Sequence, residues 1–526
     1  MTFINTLLSV EGLIVRSKET VLAGPVSFTL KQGETLGIVG ESGSGKTLTA
    51  MAVAGLLPQS LQAHGQAYLD GAPLALGISG GGRDFRTSQI GVVFQNPTTA
   101  LNPRLSVGAQ LFEALSPAMR RDKAKAANIC LQLLEEVGIS EPVKKLTAWP
   151  HELSGGLAQR VVIAMALARQ PKLLIADEPT TALDVTVQAQ ILDLIARLQK
   201  RHGFGVLLIT HDMGVIRDRA DSVVVMDGGV IVDSGATHVL FKNPTSHAAR
   251  SLLKASELTF AAASGTHHEA VSEPPLVEVK DLQKTFRNGP RALGGIDISV
   301  RAGTTLGIVG ESGSGKSTLA RIIAGLERAD EGHILIDGNA LRPRTRSGHV
   351  QYVFQDPYSS LDPRISIVET VAEPLLAKGL RKAEAVRVAQ GLLEEVGIHP
   401  ALWHRLPGRL SGGQRQRVGF ARAIAPNPKL LIADEPVAAL DSTSRERVLA
   451  LMEDMQRRHG TAQLLISHDL SVIARLCREV VVMRGGEIVE RGETRRIFET
   501  PAHPYTRQLL AAIPGRKPLV APNSSI

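Results

Sequence analysis

The sequence contains few of the residues on which several classes of protein depend. Of its 526 residues only two are cysteines, Cys130 and Cys477. Two thiols cannot supply a four-thiolate zinc or iron–sulfur site or a framework of several disulfides, so we expect a reducing compartment. Aromatic residues make up 3% of the chain, which argues against nucleic-acid modules that stack bases on aromatic side chains.

The sequence also lacks an uninterrupted apolar run of the ~18–20 residues that cross a bilayer. The segment MTFINTLLSVEGLIV has Glu11 within its apolar run and precedes Arg16, the first basic residue. It therefore does not resemble a secretory signal. The net charge of +8 is a mild excess for this length. We expect a protein that reaches a membrane, if at all, by docking onto its surface.

What the sequence does contain is one order of motifs written twice. TLGIVGESGSGKTLTA (35–50) returns as TLGIVGESGSGKSTLA (305–320), and LLIADEP (173–179) returns at 430–436. Each half alternates short β-branched apolar runs with helical stretches, a pattern typical of a mainly parallel sheet flanked by helices. Because single cores stop growing near ~250–300 residues, the repeat indicates two α/β domains.

The predicted organisation follows from the repeat and from the composition between its copies. We expect an extra surface loop around 77–85 and mainly helical middle segments around 105–165 and 365–425. The predicted boundaries are a first domain at 1–254, a tether at 255–275, a second domain at 276–514 and a flexible tail at 515–526.

The first repeated motif matches the phosphate-binding pattern GxxxxGK[ST] and follows an apolar strand in both copies. Its glycines let backbone N–H groups surround phosphates at a helix N-terminus, its lysine neutralises charge, and its hydroxyl can bind Mg²⁺. The predicted phosphate-binding residues are Gly40, Glu41, Ser42, Gly43, Ser44, Gly45, Lys46 and Thr47, and in the second copy Gly310, Glu311, Ser312, Gly313, Ser314, Gly315, Lys316 and Ser317.

Two carboxylates follow the buried strand LLIA in each half. We expect Asp177 and Asp434 to hold Mg²⁺, and Glu178 and Glu435 to orient and deprotonate an attacking water. An Asp-Glu pair after a strand is by itself more often a helix cap. Its repetition at a fixed distance behind a phosphate loop favours the catalytic interpretation.

A Ser-Gly-Gly segment precedes each Asp-Glu pair, in ELSGGLAQR (152–160) and RLSGGQRQR (409–417). Either copy alone suits an ordinary helix N-cap. In this order and spacing it resembles the signature motif of the ATP-binding-cassette (ABC) family. The resemblance implies contact with nucleotide held by the opposite cassette, so that no homodimer is required. The residues concerned are Ser154, Gly155 and Gly156, and Ser411, Gly412, Gly413 and Gln414.

The remaining family motifs also occur in pairs. The resemblance assigns sensing of Mg²⁺ and the γ-phosphate to Gln95 and Gln355, communication between cassettes to Asp184 and Asp441, and γ-phosphate contact to His211 and His468. A lone histidine at a strand end is more often structural, but the order of the surrounding motifs favours function. The implied cofactors are ATP and Mg²⁺, with Mg²⁺ near Thr47, Gln95, Asp177, Ser317, Gln355 and Asp434.

The two halves also differ from each other. Phe286 stands where these cassettes keep an aromatic residue to stack on adenine, whereas Ser17 lies at or near that position in the first half. Leu157 in the first signature segment replaces the Gln414 of the second. We therefore expect both sites to hydrolyse ATP, at unequal rates or affinities.

The segments after Gln95 and Gln355 and the ending TPAHPYTRQLLAAIP (500–514) are similar to those of the peptide/nickel class of importers. That resemblance implies two transmembrane permease subunits, an extracytoplasmic solute-binding protein and a peripheral position on the cytoplasmic face of the inner membrane. No nucleic acid is expected. The solute stays open among dipeptides, oligopeptides, glutathione, nickel and metal chelates. The alternatives are a soluble twin-cassette ATPase on ribosomes or DNA, disfavoured by the short tether without a basic run, and an exporter ATPase.

Overall fold

The computed structural model describes residues 6–76, 89–180, 183–256, 274–287, 289–341, 349–355, 360–438, 440 and 442–516. The predicted surface loop at 77–85, most of the tether, Asp441 and the tail beyond 516 lie outside these residues. The described residues divide into two compact units. One comprises residues 6–256 together with 512–516, and the other comprises residues from 274 to 511.

The strands of the first unit, within its described residues, are β1 (Thr6–Ser17), β2 (Thr20–Lys31), β3 (Thr35–Gly40), β4 (Gln62–Leu69), β5 (Ala72–Pro73), β6 (Ile90–Val93), β7 (Leu173–Asp177), β8 (Gly205–Ile209), β9 (Ser222–Asp227) and β10 (Val230–Ala236). They form an antiparallel sheet of order β2-β1-β4-β5 and a second sheet of order β10-β9-β3-β8-β7-β6. In the second sheet β9, β3, β8, β7 and β6 are parallel, and β10 pairs antiparallel with β9.

The second unit repeats this arrangement. Its described strands are β11 (Val277–Thr285), β12 (Arg291–Val300), β13 (Thr305–Val309), β14 (Glu331–Ile336), β15 (Asn339–Ala340), β16 (Val350–Val353), β17 (Leu430–Asp434), β18 (Ala462–Ile466), β19 (Glu479–Arg484) and β20 (Glu487–Glu493). The sheet orders are β12-β11-β14-β15 and β16-β17-β18-β13-β19-β20. The α/β fold with a mainly parallel sheet and an antiparallel portion is confirmed in both halves.

Helices cover the sheets and fill the middle of each half. In the first unit the described helices are Lys46–Ala54, Pro97–Ala100, Val107–Ala114, Lys123–Glu136, Pro142–Leu146, Gly155–Leu167, Val185–His202, Met213–Arg219, Thr237–Lys242 and His247–Ala255, with a 3₁₀ turn at Pro150–Glu152. In the second they are Lys316–Ile323, Ile367–Ala377, Lys382–Glu395, Gly412–Ile424, Ser442–His459, Leu470–Leu476, Thr494–Glu499 and Pro504–Ala511, with 3₁₀ turns at Pro400–Leu402 and Pro407–Arg409.

Short polar side chains set where several of these helices begin. The hydroxyl of Ser106 accepts a hydrogen bond from the N–H of Ala109, and the carboxylate of Asp122 accepts two from the first turn of the next helix. Such caps satisfy N–H groups that have no partner inside the helix. Gly203 ends the long helix Val185–His202 in a left-handed conformation, with φ of 73°. The ends of these helices are therefore set by local chemistry as well as by packing.

The central parallel strands are buried on both faces, which explains why their sequences are continuous apolar runs. Along β7, Leu173 and Ile175 pack in the cluster shared with the antiparallel sheet. Leu174 and Ala176 point to the opposite face and pack among the helices. This alternation places two apolar layers on one strand, so that the strand's carboxyl end has a fixed position. Within the described part of the chain, no helix is long and apolar enough to cross a bilayer.

Candidate functional site

The functional candidates of the first half follow four strands that lie side by side. In the order β3-β8-β7-β6, these strands lead respectively into the phosphate loop, His211, the pair Asp177 and Glu178, and Gln95. Because parallel neighbours end at the same edge of a sheet, residues distant in sequence meet there. In the second half β13-β18-β17-β16 bring together the corresponding set around His468.

Each phosphate loop leads into its helix through a glycine in the left-handed region. Gly45 has φ of 94° and Gly315 has φ of 101°. A Cβ on Gly315 would lie 2.4 Å from the carbonyl oxygen of Ala292, so the space admits glycine only. Neither helix has a side-chain N-cap. The dipole of each helix favours an anion at its first turn, where the backbone N–H groups point.

The loop lysines are buried and bonded to their own loops. The Lys46 ammonium donates to the carbonyl oxygens of Gly40 and Glu41, both at 2.8 Å. Lys316 donates to those of Gly310 and Glu311 at 2.8 and 2.7 Å. Burial lowers the pKa of Lys46, while the nearby Glu178 and Asp177 carboxylates oppose that shift. A positive charge is therefore held where phosphate oxygens are expected.

A hydroxyl and a buried carboxylate adjoin each lysine. The Thr47 hydroxyl donates to Asp177 at 3.3 Å, and the Ser317 hydroxyl donates to Asp434 at 3.2 Å. Burial raises the pKa of Asp177 to about 6, against the hydrogen bond from Thr47. Burial likewise raises the pKa of Asp434. Two oxygen donors within hydrogen-bonding distance form the kind of ligand set that Mg²⁺ prefers.

In the first unit the predicted base, the predicted sensor and the strand-end histidine meet at one carboxylate. The Gln95 amide donates to Glu178 Oε2 at 2.8 Å, and His211 Nδ1 lies 3.2 Å from Glu178 Oε1. The hydrogen bond with Glu178 raises the pKa of His211 above its ordinary value, although burial opposes the shift. Glu178 thus contacts two residues that lie 83 and 33 positions away in the sequence.

The second unit arranges the same pair differently. His468 contacts Glu435 twice, through its backbone N–H at 2.9 Å and through Nδ1 at 2.8 Å. Burial disfavours the charged imidazole, yet the contact with Glu435 raises the pKa of His468. Gln355 is exposed at the end of the described segment that carries it. The two carboxylates therefore have different partners in the two units.

Both predicted bases have a backbone conformation that sequence analysis missed. The φ angles are 45° at Glu178 and 51° at Glu435, in the left-handed region that non-glycine residues rarely adopt. Each N–H is still bonded to the neighbouring strand, to the carbonyls of Ile209 and Ile466 at 2.9 Å. The chain thus turns out of the sheet at the reactive residue itself. Strain of this kind concentrates at functional sites.

The signature segments form helix N-termini, as their sequence predicts. Ser154 and Ser411 are N-caps, and Gln414 closes a reciprocal capping box with Ser411 that Leu157 cannot make. The second glycine of each segment also has a packing role. A Cβ on Gly156 would lie 2.6 Å from Val187, and one on Gly413 would lie 2.5 Å from Ser444. Contact of these segments with nucleotide stays a prediction.

The aromatic difference between the halves is visible in the antiparallel sheets. Leu8 pairs with Leu30 and Leu69. Val277 pairs in the same way with Val300 and Ile336 of the second unit. In this register Ser17 and Phe286 occupy corresponding positions. Phe286 is 43% exposed, and the Lys284 ammonium lies 5.4 Å from the centre of its ring. An exposed aromatic face beside a cation suits stacking of a base.

A second difference between the halves was missed. The buried Tyr352 donates a hydrogen bond from its hydroxyl to Asp434 Oδ2 at 2.7 Å, so both oxygens of that carboxylate accept from protein hydroxyls. The motif VVFQ of the first half places Val92 where YVFQ places Tyr352. The difference between Val92 and Tyr352 can be read from the sequence. The contact of Tyr352 with Asp434, 82 positions away, cannot.

Asp184 and Asp441 stand differently. Asp184 is the N-cap of helix Val185–His202 and accepts from the N–H of Val187 at 3.0 Å, which accounts for its place as a cap. Asp441 lies outside the described residues. Their role in communication stays a prediction.

Asp177→Asn is expected to stabilise the ligand-free chain at pH 7.5. The ordinary pKa of 3.8 rises to about 6 in the fold, which corresponds to at most roughly 3 kcal/mol against the ionised form. Because the folded state binds the proton more tightly, the stability of the native chain falls as pH rises from about 4 to 6. The advantage of the variant should appear above pH 6 and disappear near pH 4.

Urea unfolding of both proteins at the two pH values measures this difference. Asp227→Asn, at the exposed end of β9, is the matched control and should change the free energy of unfolding little. Equal stability of Asp177→Asn and the native chain at pH 7.5 would contradict the interpretation.

The chain matches the profile of the ABC transporter family over residues 23–181 and 293–438. A second profile, described as the oligopeptide/dipeptide transporter C-terminal region, matches residues 489–521. The first covers both phosphate loops, both glutamines and both Asp-Glu pairs, whereas His211 and His468 lie beyond the matched ranges. The second begins in β20 and includes the helix Pro504–Ala511.

Curated relatives match nearly the full length. The peptidoglycan transport ATP-binding protein YejF of Agrobacterium fabrum is 42% identical over 530 residues, with 96% of each chain covered. The glutathione import ATP-binding protein GsiA of Escherichia coli O6:H1 is 42% identical over 542 residues, covering 94% of this chain and 86% of its own. An uncharacterized YejF of Escherichia coli K12 is 41% identical, covering 96% and 99%. The doubled geometry and these matches agree, and the chain belongs to the ABC transporter family as an ATPase with two cassettes.

Proposed function

We propose that both cassettes bind and hydrolyse ATP and thereby drive the import of a peptide-like solute. The observation that carries this proposal is the doubled meeting of lysine, aspartate, glutamate and histidine at one sheet edge in each unit. Each unit keeps a complete set, which supports hydrolysis at both sites.

The phosphate loop performs the binding step. The backbone N–H groups in the first turns of helices Lys46–Ala54 and Lys316–Ile323 would donate hydrogen bonds to the β- and γ-phosphates. The lysine ammonium is bonded to loop carbonyls and would exchange those bonds for bonds to phosphate oxygens. Because the ammonium is already buried, this exchange would cost little further desolvation. Phe286 would stack on the adenine of the second site. The first site has Ser17 at this position and therefore lacks such a stack.

A divalent cation fits beside each loop. Thr47 with Asp177, and Ser317 with Asp434, supply oxygen ligands that already lie about a hydrogen bond apart. Mg²⁺ held there would neutralise part of the triphosphate charge. The Gln95 amide is bonded to Glu178, so it would have to leave that carboxylate before it could contact the cation.

Hydrolysis is assigned to Glu178 and Glu435. In each unit the glutamate carboxylate would accept one proton from a water molecule as that water attacks the γ-phosphorus, while the bond from this phosphorus to the bridging oxygen breaks and ADP leaves. Contact with the glutamate through Nδ1 leaves histidine Nε2 as the ring nitrogen that can reach a phosphate oxygen. In the first unit the Gln95 amide also donates to this glutamate, and exchange of that one bond for a water molecule would free the carboxylate to act as a base.

Import is supported by the C-terminal region and by the named activities of the relatives. Residues 489–521 match the oligopeptide/dipeptide transporter region, and one relative is a glutathione import protein while another is a peptidoglycan transport protein. These point to short amide-linked solutes. The partners would be two permease subunits and an extracytoplasmic solute-binding protein, with this chain on the cytoplasmic face of the inner membrane. Import of nickel stays a prediction from the resemblance alone.

Glu178→Gln and Glu435→Gln should each lower the rate of ATP hydrolysis, and the double variant should lower it by at least about 100-fold, because a general base contributes on that order. Steady-state phosphate release at saturating ATP measures the effect. Glu135→Gln, an exposed glutamate of the helical middle segment, is the control. A single variant with the native rate would show that its site is idle.

Phe286→Ala should weaken ATP binding at the second site by about tenfold, since a base–aromatic stack contributes ~1–3 kcal/mol. Equilibrium titration with ATP in a Lys46→Ala background isolates that site. Ser17→Ala, tested in a Lys316→Ala background, should leave the first site unchanged. An unaltered affinity after loss of the Phe286 ring would contradict its role.

Purification of the tagged chain from solubilised membranes should recover two multispanning proteins. ATP hydrolysis by that complex, reconstituted with its solute-binding protein, should rise with short peptides or glutathione. Stimulation by Ni²⁺ alone would show that the solute is nickel and not peptide-like. Recovery of the chain with ribosomes or DNA, and without permeases, would overturn the import proposal.

A further inference from the structure

The last helix of the second unit carries a buried tyrosine that reaches the phosphate loop of the same unit. Tyr505 is 2% exposed, and its hydroxyl accepts a hydrogen bond from the backbone N–H of Glu311 at 3.0 Å. The carbonyl of the same peptide bond, that of Gly310, accepts from Lys316 Nζ at 2.8 Å. Because a peptide group is planar, the lysine and the tyrosine together fix the orientation of this one peptide plane.

Tyr505 is itself held in place by the end of the sheet. The Glu490 carboxylate of β20 accepts from the N–H groups of Ala502 and His503 at 2.8 and 3.1 Å. The Arg484 guanidinium lies 4.9 Å from the centre of the Tyr505 ring. These contacts set the turn before the helix and the position of the ring. The hydroxyl is thus presented to the loop by a rigid support.

The first unit has the same support without the hydroxyl. The Asp233 carboxylate of β10 accepts from the N–H groups of Thr245 and Ser246 at 2.8 and 3.0 Å, as Glu490 does in the second unit. Arg250 then donates to the carbonyls of Pro244 and Thr245.

Arg507 makes the matching bonds to Pro501 and Ala502. This correspondence places Ala248 at the position of Tyr505. The comparison within one chain therefore isolates the hydroxyl as the difference.

We propose that Tyr505 is a positioning residue of the second ATP site, and that it makes nucleotide binding there depend on the C-terminal segment 501–511. The inference rests on the proposed phosphate-binding role of Lys316. When Lys316 turns from the Gly310 carbonyl to phosphate, the bond from Glu311 to Tyr505 keeps the peptide plane in its orientation. The first site binds nucleotide without this restraint.

Loss of the hydroxyl has a defined physical consequence. The Glu311 N–H would lose its acceptor at a partly buried position, and the peptide would be free to rotate toward another acceptor. The fraction of loops in the binding-competent conformation would fall, and the apparent affinity would fall by the same factor. We expect about 3- to 10-fold weaker binding of ATP at the second site, the effect of a single hydrogen bond.

The test uses Tyr505→Phe in the full chain, which keeps the ring over Arg484 and removes only the hydroxyl. ATP titration should show weaker binding in a Lys46→Ala background and unchanged binding in a Lys316→Ala background. Hydrogen exchange of the native-background variant should be faster at the Glu311 amide. Tyr68→Phe, whose exposed hydroxyl contacts Gln66, is the matched control and should change neither quantity.

Unchanged binding at the second site, equal weakening at both sites, or unaltered exchange at Glu311 would overturn the proposal. Should Tyr505→Phe fail to fold, Glu490→Gln, which loosens the turn while keeping the tyrosine, carries the same expectations. A Lys46→Ala/Lys316→Ala double variant tests the underlying site assignment separately. If that variant still binds ATP, the phosphate loops are wrongly assigned, whatever Tyr505 does.

Discussion

The side-by-side order of β3, β8, β7 and β6, repeated in the second unit, is the constraint on which the sites depend. Parallel strands covered on both faces cannot shift without exposing one of two apolar layers. Their carboxyl ends are therefore held level. Burial of the strands therefore brings together residues up to 165 positions apart: the lysine of the phosphate loop, a histidine, a carboxylate pair and a glutamine.

Burial also sets the charge state of the residues at that edge. Asp177 is 8% exposed, and its pKa rises to about 6 for lack of solvation, while the same loss of water lowers the pKa of Lys46. Opposite charges that are individually disfavoured can be tolerated next to each other. The attraction between Lys46 and Asp177 therefore offsets part of the cost of removing each of them from water.

The sequence predicted the fold and most of the candidate site because its signals are local. A phosphate loop is one contiguous motif after one strand, and each strand is a run of apolar residues that needs two covered faces. Tyr352 and Tyr505 escaped because their roles are contacts across 82 and 194 residues. The left-handed backbone at Glu178 was not predicted, because glutamate, unlike glycine, has no preference for that conformation. Propensity describes neighbours along the chain, whereas these features depend on neighbours in space.

The left-handed backbone at Glu178 and Glu435 has a consequence for how these positions can evolve. A β-branched residue there would meet steric conflict with its own backbone, at a cost of about 1–2 kcal/mol. Asparagine, aspartate and glycine tolerate that conformation best. The replacements for glutamate that cost least at either position are therefore glycine, asparagine and aspartate. A cassette that has lost its base is expected to carry one of these three residues there.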